Sequence, residues 1–112
     1  MRKAILDTSF IITAAKNKID FFKWLEEEGL EPVIPEQTIS ELEGLGAELP
    51  LKLIKMHKFK LAKVSGKNAD TAIVNLTKKD KKAIVATLDA GLKKRIKNRK
   101  LVIRGGKKLE IT

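Results

Sequence analysis

Short, unbroken apolar runs alternate along this chain with segments whose apolar residues recur at helical spacing. Ala4-Ile5-Leu6 suits a buried strand. Asp7-Thr8-Ser9 supplies three candidate N-caps, and Phe10 to Ala15 reads as a short helix behind them. Asp20 can cap a second helix with Phe21, Phe22, Trp24 and Leu25 at helical spacing and Gly29 as its stop. Pro32-Val33-Ile34-Pro35 reads as a short strand, and Pro35 suits the opening of a helix through about Leu45, ended by Gly44 and Gly46. Leu49 to His57 carries apolar residues at 49, 51, 53, 54 and 56 and predicts one helix. Phe59 to Val64 alternates apolar and basic residues, as a short edge strand or a loop would. After a turn at Ser65-Gly66-Lys67-Asn68, the spacing predicts a helix from Ala69 to Lys78 that buries Ala69, Ala72, Ile73 and Leu76. Beyond the basic turn Lys79 to Lys82, Ala83 to Thr87 reads as a second buried strand. A helix from about Ala90 to Asn98, the strand Leu101-Val102-Ile103 and an edge strand at Leu109-Glu110-Ile111 complete the pattern.

Apolar strands alternating with helices argue for an α/β fold with a largely parallel sheet, whose strands are buried on both faces. In such folds ligands bind beyond the carboxyl ends of the strands. Asp7 and Asp89 both stand just past the end of an apolar strand.

The chain has 112 residues with no repeat or linker, the size of one domain over residues 1–112. It has no cysteine, which excludes disulfides and thiolate zinc sites. Its single histidine, His57, excludes any site built on several imidazoles, and the sequence shows no partner for it, as for a surface or helix-end residue. No apolar run approaches the roughly 18 residues that cross a bilayer. The start Met1-Arg2-Lys3 does not continue as a signal peptide, because Asp7 interrupts the apolar run. The expectation is a cytoplasmic protein with no membrane partner.

Net charge is +10, unevenly placed: residues 1–49 carry −5 and residues 50–112 carry +15. A basic half suits a polyanion such as nucleic acid, although a solvated lysine-rich surface would look the same.

Four acids occupy positions where an acid does not help a core: Asp7, Glu41, Asp70 and Asp89. Singly each has an ordinary explanation. Asp7 and Asp89 can cap helices, Asp70 favours the start of one through the dipole, and Glu41 can be an exposed helix residue. Together, two strand ends and two helices can converge on one cleft. Carboxylates about 5 Å apart repel by roughly 3 kcal/mol at an effective dielectric near 20. A cluster therefore calls for a cation or for protonation. Oxygen donors without His or Cys suit Mg²⁺ or Mn²⁺, ions that assist phosphodiester hydrolysis.

At these residues the chain resembles the PIN-domain family. The matching pieces are Ile5-Leu6-Asp7-Thr8-Ser9-Phe10, Val33-Ile34-Pro35 with Ile39-Ser40-Glu41-Leu42, Asn68-Ala69-Asp70-Thr71-Ala72-Ile73 and Val85-Ala86-Thr87-Leu88-Asp89. They stand in the family's order and elements, and Leu101-Val102-Ile103-Arg104 follows. Thr71 and Leu88 stand where many members have a further acidic or polar residue.

The resemblance implies a three-layer α/β/α Rossmann-like fold around a mostly parallel sheet of four to five strands. It implies Mg²⁺- or Mn²⁺-dependent cutting of single-stranded RNA to 5′-phosphate and 3′-hydroxyl ends. Asp7, Glu41, Asp70 and Asp89 would hold the metal, with Thr8, Ser9 and Thr87 orienting them. Lys93, Lys94, Arg95, Lys97 and Arg99 follow Asp89 directly, and some of them would grip substrate phosphates, with Arg104 a further candidate, unless they only solvate the helix. Ribosomal RNA processing with an assembly partner, a VapC-like toxin held by an antitoxin, and a non-catalytic RNA-binding scaffold all fit the resemblance. Pairing of two copies is a family habit, and the Phe21, Phe22, Trp24, Leu25 stripe is either core or part of such a face.

Overall fold

Ala4, Ile5 and Leu6 are almost wholly withdrawn from water because their strand lies inside a sheet covered on both faces. The computed structural model describes residues 1–112. Along the chain run β1 (Arg2–Leu6), α1 (Thr8–Lys16), α2 (Phe21–Glu27), β2 (Leu30–Pro35), α3 (Glu36–Gly44) and α4 (Glu48–Lys55). Then come β3 (Lys60–Ala62), α5 (Ala69–Lys79), β4 (Ile84–Ala86), α6 (Ala90–Arg95), β5 (Lys100–Arg104) and β6 (Lys108–Ile111). The sheet order is β3-β2-β1-β4-β5-β6, parallel throughout except for the last pair.

Alternate residues of a strand point to opposite faces, and each face has its own core. Ala4 and Leu6 meet Phe10, Phe21, Leu25, Leu42 and Ile54 from α1–α4 on one side. Ile5, Val33 and Val85 meet Ile73 of α5 and Leu92 of α6 on the other. This is the expected α/β/α sandwich. No helix is long and apolar enough to cross a membrane.

The sheet has six strands rather than four to five. Gly105 and Gly106 both take positive φ, 56° and 73°, and Lys107 N–H closes the turn on the Arg104 carbonyl at 3.1 Å. Two successive left-handed residues make the tight turn that suits an antiparallel hairpin, so β6 folds directly back on β5. The last helix is shorter than its basic, helix-like sequence predicts. It stops at Arg95, where Ile96 turns extended and sinks into the second core. Asn98 is buried, and its amide ties this loop to the carbonyls of Asp80 and Ala83 at 3.1 and 2.8 Å. In α5, Thr77 is buried while Leu76 stays half-buried at the core's margin. Pro35 stands at the N-cap of α3, one residue before the helix proper.

Phe21, Phe22 and Leu25 of the aromatic stripe belong to the core, and Trp24 is half-buried at its margin. Phe10 meets Phe21 edge-on at 5.6 Å between centroids. His57 is not solitary: its ring stacks on Phe22 at 4.3 Å, and its Nδ1 lies 2.8 Å from the Leu53 carbonyl.

Candidate functional site

Connections from β1 run to one edge of the sheet and those from β4 to the other. The carboxyl ends of β1 and β4 therefore frame the crevice at which α/β sheets place ligands. Asp7 and Asp89 lie there. The Asp7 N–H extends the ladder onto the Ala86 carbonyl at 2.9 Å, which fixes the Asp7 backbone against β4.

Asp7 is buried at 3% exposure. It occupies the N-cap position of α1 without a side-chain capping bond, so the ordinary explanation for this acid fails. Its Oδ2 instead accepts from the Thr87 hydroxyl at 2.7 Å and the Ser9 hydroxyl at 3.1 Å. Those hydroxyls also accept backbone N–H groups: Asp89 N–H reaches Thr87 at 3.0 Å and Leu88 N–H reaches Ser9 at 3.1 Å. Loop 87–89 is thus stitched to Asp7 by two hydroxyls. Burial pushes the Asp7 carboxyl up from its ordinary value, opposed by the Thr87 bond.

Glu41 is a strut between two helices. Its Oε1 accepts from the Thr8 hydroxyl at 2.7 Å, and its Oε2 accepts from Ala69 N–H at 2.7 Å. The second bond satisfies an otherwise unpaired donor at the start of α5 and places a charge where the helix dipole favours it. Asn68 caps the same helix by accepting from Thr71 N–H at 2.9 Å. Asp70, in the first turn, is therefore held by its backbone while its carboxylate makes no hydrogen bond. Partial burial pushes the Asp70 carboxyl up, and the charges of Asp7, Asp89 and Glu41 push it further, against Arg95. Asp89 does cap α6, its Oδ1 accepting from Leu92 N–H at 3.0 Å. Asp70 thus senses the other three acids together.

In this arrangement no three acidic or imidazole side chains stand close enough to enclose an ion directly. The donor set still fits a hard divalent cation. It consists of carboxylate and hydroxyl oxygens, and the unbonded Asp70 carboxylate feels the repulsion of the other three acids.

Two contributors are not legible as site residues in the sequence. The Gln37 amide donates to the carbonyls of Val64 and Gly66 at 2.6 and 3.1 Å, and Asn75 donates to Ser65 at 2.7 Å. These bonds fasten the loop ahead of Asp70. Gly66 packs against α5 so closely that a Cβ would lie 2.7 Å from Ala72 N.

The basic candidates divide. Arg95 is near enough to act on Asp70, and Lys93 lines a shallow surface pocket with Leu88 and Arg104. Lys94 is exposed on the same helix. Arg104 is paired with Glu110 across the β5–β6 hairpin at 2.8 Å, both side chains exposed. Lys97 and Arg99 are not with them. The Arg99 carbonyl accepts from Val85 N–H at 3.0 Å, which sets this loop at the amino ends of β4 and β5, away from the acids.

A family profile described as a PIN like domain matches residues 4–105. Ribonuclease VapC4 of Methanocaldococcus jannaschii is 31% identical, over 99% of this chain and 97% of that protein. The rRNA-processing protein FCF1 of Saccharomyces cerevisiae is 34% identical over 85% of this chain, which spans only 54% of FCF1. The solved structure of the PIN domain endonuclease Utp24 superposes with a TM-score of 0.78 at 28% identity, covering 97% of this chain and 90% of that one.

Proposed function

This chain belongs to the PIN-like domain family, and on that premise we propose that it is an endoribonuclease hydrolysing phosphodiester bonds of single-stranded RNA with Mg²⁺ or Mn²⁺. The observation that carries the reading is Asp70, a carboxylate without a hydrogen bond that faces the charges of three other acids at the sheet's crevice. On this reading Asp7, Asp70 and Asp89 hold the ion. Glu41 would act through water or by direct contact, each of its oxygens accepting one bond and keeping a further lone pair. A bound divalent ion supplies Lewis acidity and a more acidic water. The chain's own residues do the positioning: Thr87 and Ser9 aim Asp7, and Thr8 holds Glu41. Lys93, Lys94 and Arg95 stand one to two turns beyond Asp89 and neutralise substrate phosphates. Arg104 joins them by exchanging its exposed Glu110 partner, a pairing worth at most about 1 kcal/mol.

The likeness to FCF1, an rRNA-processing protein, supports a role in ribosomal RNA processing. An assembly partner, a cytoplasmic location and a single domain over residues 1–112 belong to the same proposal. The near-complete overlap with VapC4 supports a second reading, a toxin restrained by an antitoxin. Growth arrest on expression, relieved by Asp7→Asn, distinguishes the toxin. Cleavage itself is tested with labelled single-stranded RNA and Mn²⁺. The wild type should yield 5′-phosphate ends, and folded Asp7→Asn should yield none. Equal cutting by both removes Asp7 from the chemistry, and no cutting by the wild type on several RNAs makes the chain a binding scaffold.

A further inference from the structure

The end of the sheet away from the acids carries six cations on two loops. The C-terminus of α5 and the turn after it hold Lys78, Lys79, Lys81 and Lys82, and the loop between α6 and β5 holds Lys97 and Arg99. All six are exposed. None is in an ion pair, since the molecule's one salt bridge joins Arg104 to Glu110. Asp80 is the acid within this segment, and its carboxylate is engaged with the Lys82 N–H at 3.1 Å. The acids Glu26, Glu27 and Glu28 lie at the end of α2, on the other face of the sheet.

The helix dipole accounts for Lys78 and Lys79 at the end of α5. It does not account for Lys81, Lys82, Lys97 and Arg99, which lie outside any helix. Nor are the two loops free to move their charges apart. Buried Asn98, between Lys97 and Arg99, hydrogen-bonds the carbonyls of Asp80 and Ala83 on either side of Lys81 and Lys82. The Lys100 ammonium holds the Ile96 carbonyl at 3.0 Å. A fixed array of unpaired like charges is unfavourable in the free protein and is relieved by a polyanion.

Both loops are reached from the acid crevice along a helix. Asp70 stands in the first turn of α5 and Lys79 ends the helix, a rise of about 14 Å at 1.5 Å per residue. Asp89 caps α6, whose exit leads to Lys97. We propose that these two tethered loops form a second RNA-binding surface, which grips the phosphate backbone of the substrate outside the segment being cut. The inference rests on the nuclease reading for its choice of polyanion. It assigns Lys97 and Arg99 to this distal surface rather than to the acid crevice.

The test is the triple variant Lys79→Gln, Lys81→Gln, Lys82→Gln beside its Lys→Arg counterpart, both checked for wild-type thermal unfolding. Binding of a long single-stranded RNA is followed by fluorescence anisotropy in chelator across a salt series, and cleavage of a trinucleotide is followed with Mn²⁺. The Gln variant should bind the long RNA about ten-fold or more weakly at low salt, with a log–log salt slope shallower by about 2. The Arg variant should bind as the wild type does, and trinucleotide cleavage should be unchanged in both. Unchanged affinity and slope in the Gln variant overturn the proposal, as does equal weakening in the Arg variant. A wild type that, given Mn²⁺, cuts neither the trinucleotide nor the long RNA defeats the nuclease reading instead, and the binding series in chelator still decides this one.

Discussion

Thr87→Val isolates what the hydroxyl stitching contributes, because valine keeps the shape of threonine while removing its hydroxyl. Thr87 is fully buried, so water cannot replace what is lost. One bond lost is charge-assisted, from the hydroxyl to Asp7 Oδ2 at 2.7 Å, and bonds of that kind contribute about 1.5–3 kcal/mol. The other leaves Asp89 N–H without its acceptor, at a cost of about 1–3 kcal/mol. With some overlap, the expected destabilisation at pH 7 is about 3 kcal/mol, or roughly 12 °C in Tm for a domain of this size. Thr87→Ser keeps both bonds and loses one methyl, so it should cost only about 1 kcal/mol. The Thr87 bond also holds the Asp7 carboxyl down, so Thr87→Val should raise that group further. Its deficit against the wild type should then narrow as pH falls and Asp7 takes up a proton. Differential scanning calorimetry of the three proteins without metal, at pH 7 and in mild acid, measures all of this. Cleavage should show a loss of about 10–100-fold in apparent Mn²⁺ affinity or in rate. A Thr87→Val protein that unfolds with the wild type and needs no more Mn²⁺ would refute the reasoning.

The folded values of Asp7 and Asp70 lie above the ordinary 3.8. Between that value and the folded ones, the folded state holds protons that the unfolded chain has lost, so this contribution to stability falls as pH rises through the window. Metal-free Asp70→Asn should accordingly be more stable than the wild type at neutral pH and lose that advantage towards pH 4, as paired thermal melts would show. Gly66→Ala drives a Cβ to 2.7 Å from Ala72 N and 3.0 Å from Ala72 Cα, against backbone that cannot yield cheaply. It should cost about 1–3 kcal/mol by denaturant unfolding and lower kcat by displacing Asp70. Lys93→Gln, Lys94→Gln and Arg95→Gln together should flatten the salt dependence of RNA binding by about 2 in log–log slope.

Much of the scaffold was legible because it follows from local pattern. Ala4-Ile5-Leu6 and Ile84-Val85-Ala86 are apolar without a break because both strands are covered on both faces. The same apolar runs place Asp7 and Asp89 past strand ends from the sequence alone. Asn68 announces the start of α5 in the same local way. The rest depends on groups distant in sequence. Thr8 and Glu41 are 33 residues apart, Glu41 and Ala69 are 28 apart, and no periodicity joins them. Gln37 looks like any polar residue at a helix start, yet it clamps the loop before Asp70. The edge strand expected at Leu109-Glu110-Ile111 is β6, and the Gly105-Gly106 turn is what folds it back on β5. The basic run after Asp89 reads as one helix, but burial of Ile96 and Asn98 ends that helix early and sends Lys97 and Arg99 to the other end of the sheet.

The most direct measurement is the anomalous signal of Mn²⁺ soaked into crystals of the wild type and of Asp70→Asn. The wild type should show an ion among the carboxylates of Asp7, Asp70 and Asp89, with the Asp70 side chain turned towards it, and Asp70→Asn should lose most of that signal. Manganese found only elsewhere on the surface, or held equally well without the Asp70 charge, would contradict a metal centre at the crevice between β1 and β4.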